Sequence, residues 1–138
     1  MRYLILTFLA LYLTIGLANG QIKVDPQSAE FPGGMNKFYE YQRNNMVYPK
    51  KALKKGIKGK VYVEFFITEN GSVDQHAVRM VPAREIETLM GGRYVAEMVS
   101  DESLEAEAIR VIKNSPPWKP GTLNGKPTRQ KLIYPVIF

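Results

Sequence analysis

The chain has 138 residues, 45% hydrophobic and 23% charged, a balance that supports one compact core and excludes a disordered or fibrous chain. Lys and Arg number 19 against 13 Asp and Glu, a formal net charge of +6, which turns attention to anionic partners. With 1 histidine and no cysteine, a disulfide framework is excluded, and a His/Cys metal site has no second ligand of those types.

Met1-Arg2, an almost unbroken apolar run over 3–17 and the small residues of Ala18-Asn19-Gly20 have the layout of a cleavable signal peptide over residues 1–20. Left uncleaved, the run would anchor the chain in the inner membrane, but it falls short of the roughly 20 apolar residues that span a bilayer comfortably. Export removes nucleic acid from the expected partners. Residues 21–30 are short and polar with Pro26, and predict a flexible tether ahead of a domain over 31–138.

Phe31-Pro32-Gly33-Gly34 is turn chemistry. Met35, Phe38, Tyr39 and Gln42 then recur at helical spacing, so a first amphipathic helix is expected over 35–46, with Asn44-Asn45 at its end where left-handed geometry is tolerated. Pro49 suits the first turn of a short helix that Gly56 stops. Lys50, Lys51, Lys54, Lys55 and Lys58, with Lys60, form the densest positive cluster. Two readings stand: a solvated helix face, or a docking patch for an anionic surface.

Two runs rich in β-branched and aromatic residues flank Asn70-Gly71 across 59–81, which predicts a β-hairpin closed by a two-residue type I′ turn. Val61, Val63, Phe65 and Ile67 share one face of its first strand. After Pro82 the apolar positions of 83–100 recur at three and four but are broken by Gly91-Gly92, so this insertion reads as irregular and partly helical. Leu104, Ala108, Val111 and Ile112 lie on one face of the next helix, acidic at its start and basic at its end. That helix is the expected lid for the hairpin. Ser115-Pro116-Pro117 ends it, the stretch through Asn124-Gly125-Lys126-Pro127 reads as a stiff connection, and 129–138 is a third strand. Pro135 cannot donate to a ladder, which puts this strand on an edge or bulges it.

The architecture is therefore α+β, a three-stranded antiparallel sheet packed against two helices with an insertion after the hairpin. No enzyme is read here. His76, placed on the second strand, is the one base available to a serine triad. Trp118 reads as core. Tyr62, Phe66 and Tyr134 are expected on the face away from the lid, as a second small core beneath the first helix or as an exposed surface. No cofactor is implied. An open edge strand offers unpaired backbone groups to another extended chain, which is recognition by strand addition.

Phe31-Pro32-Gly33-Gly34, Tyr48-Pro49, Gly56-Ile57-Lys58-Gly59-Lys60-Val61, Asn70-Gly71, Glu107-Ala108-Ile109-Arg110-Val111-Ile112, Pro117-Trp118-Lys119-Pro120-Gly121, Asn124-Gly125-Lys126-Pro127 and the ending from Pro135 to Phe138 resemble the C-terminal domain of TonB energy transducers, in the form common in Bacteroidetes. The resemblance implies a periplasmic domain. Its family partners are TonB-dependent outer-membrane receptors, whose TonB-box peptide adds as a strand to the C-terminal strand; carried over, the neighbours of that peptide are Arg129, Lys131, Ile133, Tyr134 and Val136. Another envelope protein or a homodimer could use the same edge. The alternative is a structural module that holds peptidoglycan or another anionic polymer through Lys50, Lys51, Lys54, Lys55 and Lys58. Two departures stand out: the apolar start has the form of a cleavable signal rather than an anchor, and 21–30 reaches only about 35 Å, in place of a long proline-rich spacer. A third is the length of the 83–100 insertion.

Overall fold

The computed structural model describes residues 26–138, so the signal-peptide expectation lies outside the described residues. In chain order the elements are α1 (Met35–Asn45), α2 (Lys50–Lys54), β1 (Lys60–Ile67), β2 (Arg79–Met80), α3 (Ala83–Met90), a 3₁₀ turn (Gly92–Tyr94), α4 (Glu102–Lys113), β3 (Gly121–Leu123), β4 (Lys126–Thr128) and β5 (Gln130–Ile137). The expected three-stranded sheet is present, antiparallel throughout, in the order β2-β1-β5.

Alternation in β1 decides the layering. Val61, Val63, Phe65 and Ile67 are buried on one face, in a core with Phe38 of α1 and with Leu104, Ala108 and Ile112 of α4. Each large side chain removed from water there contributes on the order of 1.5–3 kcal/mol before chain entropy is charged. The lid is well capped: Asp101 accepts hydrogen bonds from the Ser103 and Leu104 backbone N–H groups at 3.1 Å each, while Arg110 and Lys113 occupy the last turn. Tyr41 ties α1 to α4 by donating its hydroxyl to the Val111 carbonyl at 2.9 Å. As read from the sequence, Trp118 is core.

Several expectations need correction. Asn70-Gly71 does not form a two-residue turn. Thr68 N–H donates to the Ser72 carbonyl and Gly71 N–H to the Thr68 carbonyl, both at 2.9 Å, and Gly71 alone of the pair has positive φ, at 87°. That is a three-residue loop whose last member is left-handed. The return strand is also short: Ile67 pairs with Val73 and Val63 with Met80, so three extra residues bulge out between them. His76 sits in that bulge, exposed, and not on a strand. The 115–128 connection contains a second hairpin, β3-β4, whose Asn124-Gly125 turn has positive φ at both residues, 51° and 74°. α1 ends without a left-handed residue, since Met46 continues as extended chain.

The 21–30 tether does not run unpaired to its end. Gln27 pairs with Thr122 and Glu30 with Lys119, while Ala29 and Phe31 are buried, because the chain at 119–122, leading into β3, presents backbone groups that these residues satisfy. Tyr62, Phe66 and Tyr134 are not one set. Tyr134 lies opposite Val63 and shares the main core face. Tyr62 joins Val81 and Ile86 in a second small core, which the 83–100 insertion covers with Tyr94, Val95 and Met98; α1 has no part in it. Phe66 is capped by Arg129, its guanidinium carbon 3.6 Å from the ring centre.

Candidate functional site

β1 is central, so the sheet has two outer sides, and they differ. On the β2 side, Val81 N–H donates to the Tyr62 carbonyl at 2.8 Å and Asp74 N–H to the Phe66 carbonyl at 2.9 Å. At Lys60 the insertion takes over: Lys60 N–H donates to the Glu97 carbonyl at 2.7 Å and Val99 N–H to the Lys60 carbonyl at 3.1 Å. Short segments thus occupy that flank of β1 in turn. The long remaining edge is β5, eight residues.

Which groups of β5 face outward follows from the ladder. Gly59 and Phe138 exchange both backbone hydrogen bonds, at 3.2 and 2.8 Å, and antiparallel pairing then alternates. Val136, Tyr134, Leu132 and Gln130, opposite Val61, Val63, Phe65 and Ile67, spend their backbone groups on β1. Ile137, Pro135, Ile133 and Lys131 point theirs away. Pro135 therefore falls where its missing N–H costs the ladder nothing. Its carbonyl is engaged too, accepting from Gln42 Nε2 of α1 at 3.1 Å. Among the described residues, no backbone hydrogen bond is made to Lys131 or Ile133 from outside the sheet. The free edge is thereby narrowed to the first half of β5.

The five edge residues carried over from the resemblance split by this parity. Lys131 and Ile133 have outward backbone groups. Tyr134 stacks on Trp118, ring centres 6.1 Å apart and planes 19° apart, and burial pushes its hydroxyl pKa up. Val136 is fully buried. The Val136 side chain is thus closed to a partner, while that of Tyr134 is half-buried against the main core. Arg129 precedes β5 and is held over Phe66 by an ion pair with Asp74 at 3.0 Å. Sequence reasoning missed Gln42 as an edge residue. The signal was there, a polar side chain in an apolar helical stripe.

Charge is organised beside the edge. Glu64, 8% exposed on the second face of β1, accepts from Arg79 Nε and Nη2, both at 2.9 Å, and Lys131 Nζ stands 3.7 Å from it. Arg79 also binds Glu85 of α3 at 2.6 Å, so one guanidinium joins the sheet to the insertion and holds the Glu85 carboxyl below the usual range. Arg129 does the same to Asp74, and Arg110 to Glu107, whose Oε1 also receives the Val47 N–H. Groups with depressed folded pKa values stabilise the fold fully above their unfolded values and stop doing so as pH falls through the folded ones. The urea midpoint is accordingly expected to start falling at about pH 5, roughly a unit above the unperturbed carboxylate values, where the unfolded chain begins to take up protons, and to be flat from there to neutrality as far as these groups decide it.

The lysines of the sequence cluster are placed otherwise. Lys50, Lys51, Lys54, Lys55 and Lys58 are exposed at α2 and just beyond it, while Lys60 leaves the cluster to pair with Glu97 at 2.8 Å. Among the described residues no group of histidine, cysteine or carboxylate side chains could hold a metal ion, and no helix is long and apolar enough to cross a membrane.

The family model for the Gram-negative bacterial TonB protein C-terminal matches residues 44–84. Over these residues the chain is similar to the TonB C-terminal domain family. The TonB-type segment runs from the end of α1 through α2, β1 and β2 to the start of α3. It includes the lysine cluster and the central strand. The NMR solution structure of Helicobacter pylori TonB-CTD is similar at 23% sequence identity and a TM-score of 0.49, over 75% of this chain and 89% of that one. No curated protein matches the chain.

Proposed function

We propose that the chain is a periplasmic TonB-like domain that binds an extended segment of an outer-membrane receptor, or of another envelope protein, by strand addition in TonB-dependent transport. The observation that carries this reading is the half-edge of β5, where the N–H and C=O groups of Lys131 and Ile133 face out of the sheet with no backbone partner among the described residues. The TonB-type segment supports it by family. An incoming strand would bond to two alternate residues and lie alongside both, with the Lys131 and Ile133 side chains in succession on one face of the sheet. Past Ile133 it would meet a proline without a donor and a carbonyl already taken by Gln42.

Ile133→Pro tests this. The substitution deletes an outward N–H and leaves the β1 ladder intact, as Pro135 already does in the same strand. Binding of a TonB-dependent receptor's N-terminal peptide, followed by calorimetry, is expected to weaken at least about tenfold, the equivalent of roughly one lost hydrogen bond with its partner left unpaired. Circular dichroism should show the fold retained. Tyr134→Pro, which would remove a donor to Val63, should unfold the domain instead. A folded Ile133→Pro chain that still binds at full strength would overturn the proposal.

A further inference from the structure

We propose that the outer face of α2 docks on a lipid bilayer carrying anionic phospholipid headgroups. α2 is pinned to the domain by Ala52, which is fully buried. At 3.6 residues per turn, Lys50 and Lys54, two positions either side of Ala52, point nearly opposite it, into solvent. Lys58 follows just after the helix, also exposed. Among the described residues none of these three has a carboxylate within ion-pair distance. Lys51 and Lys55 differ, lining a cleft with Asp101 and Glu102 at the start of α4.

Charge alone would suit any polyanion. Leu53 decides between them: it is 62% exposed, with Lys50 and Lys54 beside it on the same helix. A hydrated polymer has no use for that side chain. A bilayer accepts it below the headgroups while the lysine stems lie along the interface with their ammonium groups among the phosphates. The placement also keeps the β5 edge free. Gly59 pairs with Phe138, so the lysine face stands at the end of the sheet where β5 finishes, and the Ile133 edge begins roughly 17 Å away along the strand.

The chain lacks cysteine, so Leu53→Cys provides a single thiol for an environment-sensitive dye on the full chain. Leu89→Cys, exposed on α3, is the reference position. On phosphatidylcholine vesicles containing phosphatidylglycerol, the dye at 53 is expected to shift to the blue and to lose several-fold in quenching by acrylamide. On phosphatidylcholine alone it should do neither. The dye at 89 should stay in water on both, so insertion of the apolar 3–17 run into either vesicle cannot produce the result. Adding Lys50→Gln, Lys54→Gln and Lys58→Gln together should abolish the shift at 53 with the circular dichroism spectrum unchanged. No shift at 53, or an equal shift at 89, overturns the proposal. So does a label at 53 that stays in water while soluble polyphosphate retains the chain in a lysine-dependent way, which would make the face a polyanion site.

Discussion

Replacing Trp118 with alanine is expected to lower the unfolding free energy by about 3–5 kcal/mol, the usual loss for a large buried aromatic. A small domain holds roughly 5–15 kcal/mol in all, so the variant should be close to unfolded at 37 °C, or melt tens of degrees early at about 4–8 °C per kcal/mol. The indole meets four rings from four parts of the chain: Phe31 at 5.3 Å, Phe38 at 5.2 Å, Phe65 at 5.5 Å and Tyr134 at 6.1 Å. These join the segment before α1, α1 itself, β1 and β5. Its N–H is satisfied as well, donating to Ser115 Oγ at 3.0 Å. Trp118→Phe, which keeps a ring, should lose clearly less. Thermal melts by circular dichroism measure both, and an alanine variant that loses under about 1 kcal/mol would show that the four rings close over the space.

The two Asn-Gly pairs show what pattern reading can and cannot supply. Both dipeptides have the chemistry of a type I′ turn. Asn124-Gly125 makes one, between β3 and β4; Asn70-Gly71, flanked by the stronger strand pattern, does not. The difference is tertiary. Gly71 carries its carbonyl to Trp118 N–H at 2.8 Å, a contact with a residue 47 positions away that no local window contains. Short strands next to prolines hid β3-β4 for the opposite reason, because three-residue strands have too little alternation to register. The α4 lid, by contrast, was legible down to its four buried residues, since caps, dipole charges and period all agree there.

The candidate site was half legible. Pro135 told that the last strand should be an edge, and the sheet order agrees. Which residues present their backbone outward depends on pairing parity, and that is fixed by the Gly59–Phe138 pair rather than by composition. Tyr134 and Val136 therefore came through the resemblance as peptide neighbours although both point into the core. Tyr62 does lie in a second small core, but its cover was misread for a related reason: its partners Val81 and Ile86 lie across the return strand and in the insertion, not in the first helix. The insertion thus has a packing task, covering the second face and the Lys60 end of β1, whatever else it does.

Gly71→Ala should cost about 3 kcal/mol, against about 1 kcal/mol for Gly125→Ala, although both replace the glycine of an Asn-Gly pair. The shared part is conformational: both glycines have positive φ, 87° and 74°, where an L side chain adds roughly 1–2 kcal/mol. The remainder is steric and local to Gly71. A Cβ there would lie 2.1 Å from the Trp118 carbonyl oxygen, a backbone atom that cannot rotate aside, whereas a Cβ on Gly125 meets nothing within 4 Å. Relieving the clash means parting Gly71 from Trp118 and losing the 2.8 Å hydrogen bond between them, worth about 1 kcal/mol. It also tilts the indole against the rings of Phe38, Phe65 and Tyr134. Urea titrations of the two variants beside the parent chain give the comparison. Equal losses would mean that the Trp118 backbone moves freely, and that the turn and the aromatic core are uncoupled. A larger loss at Gly71, with the peptide affinity of the remaining folded chain unchanged, would place this contact in the scaffold that holds β5 and leave recognition to the outward groups of Lys131 and Ile133.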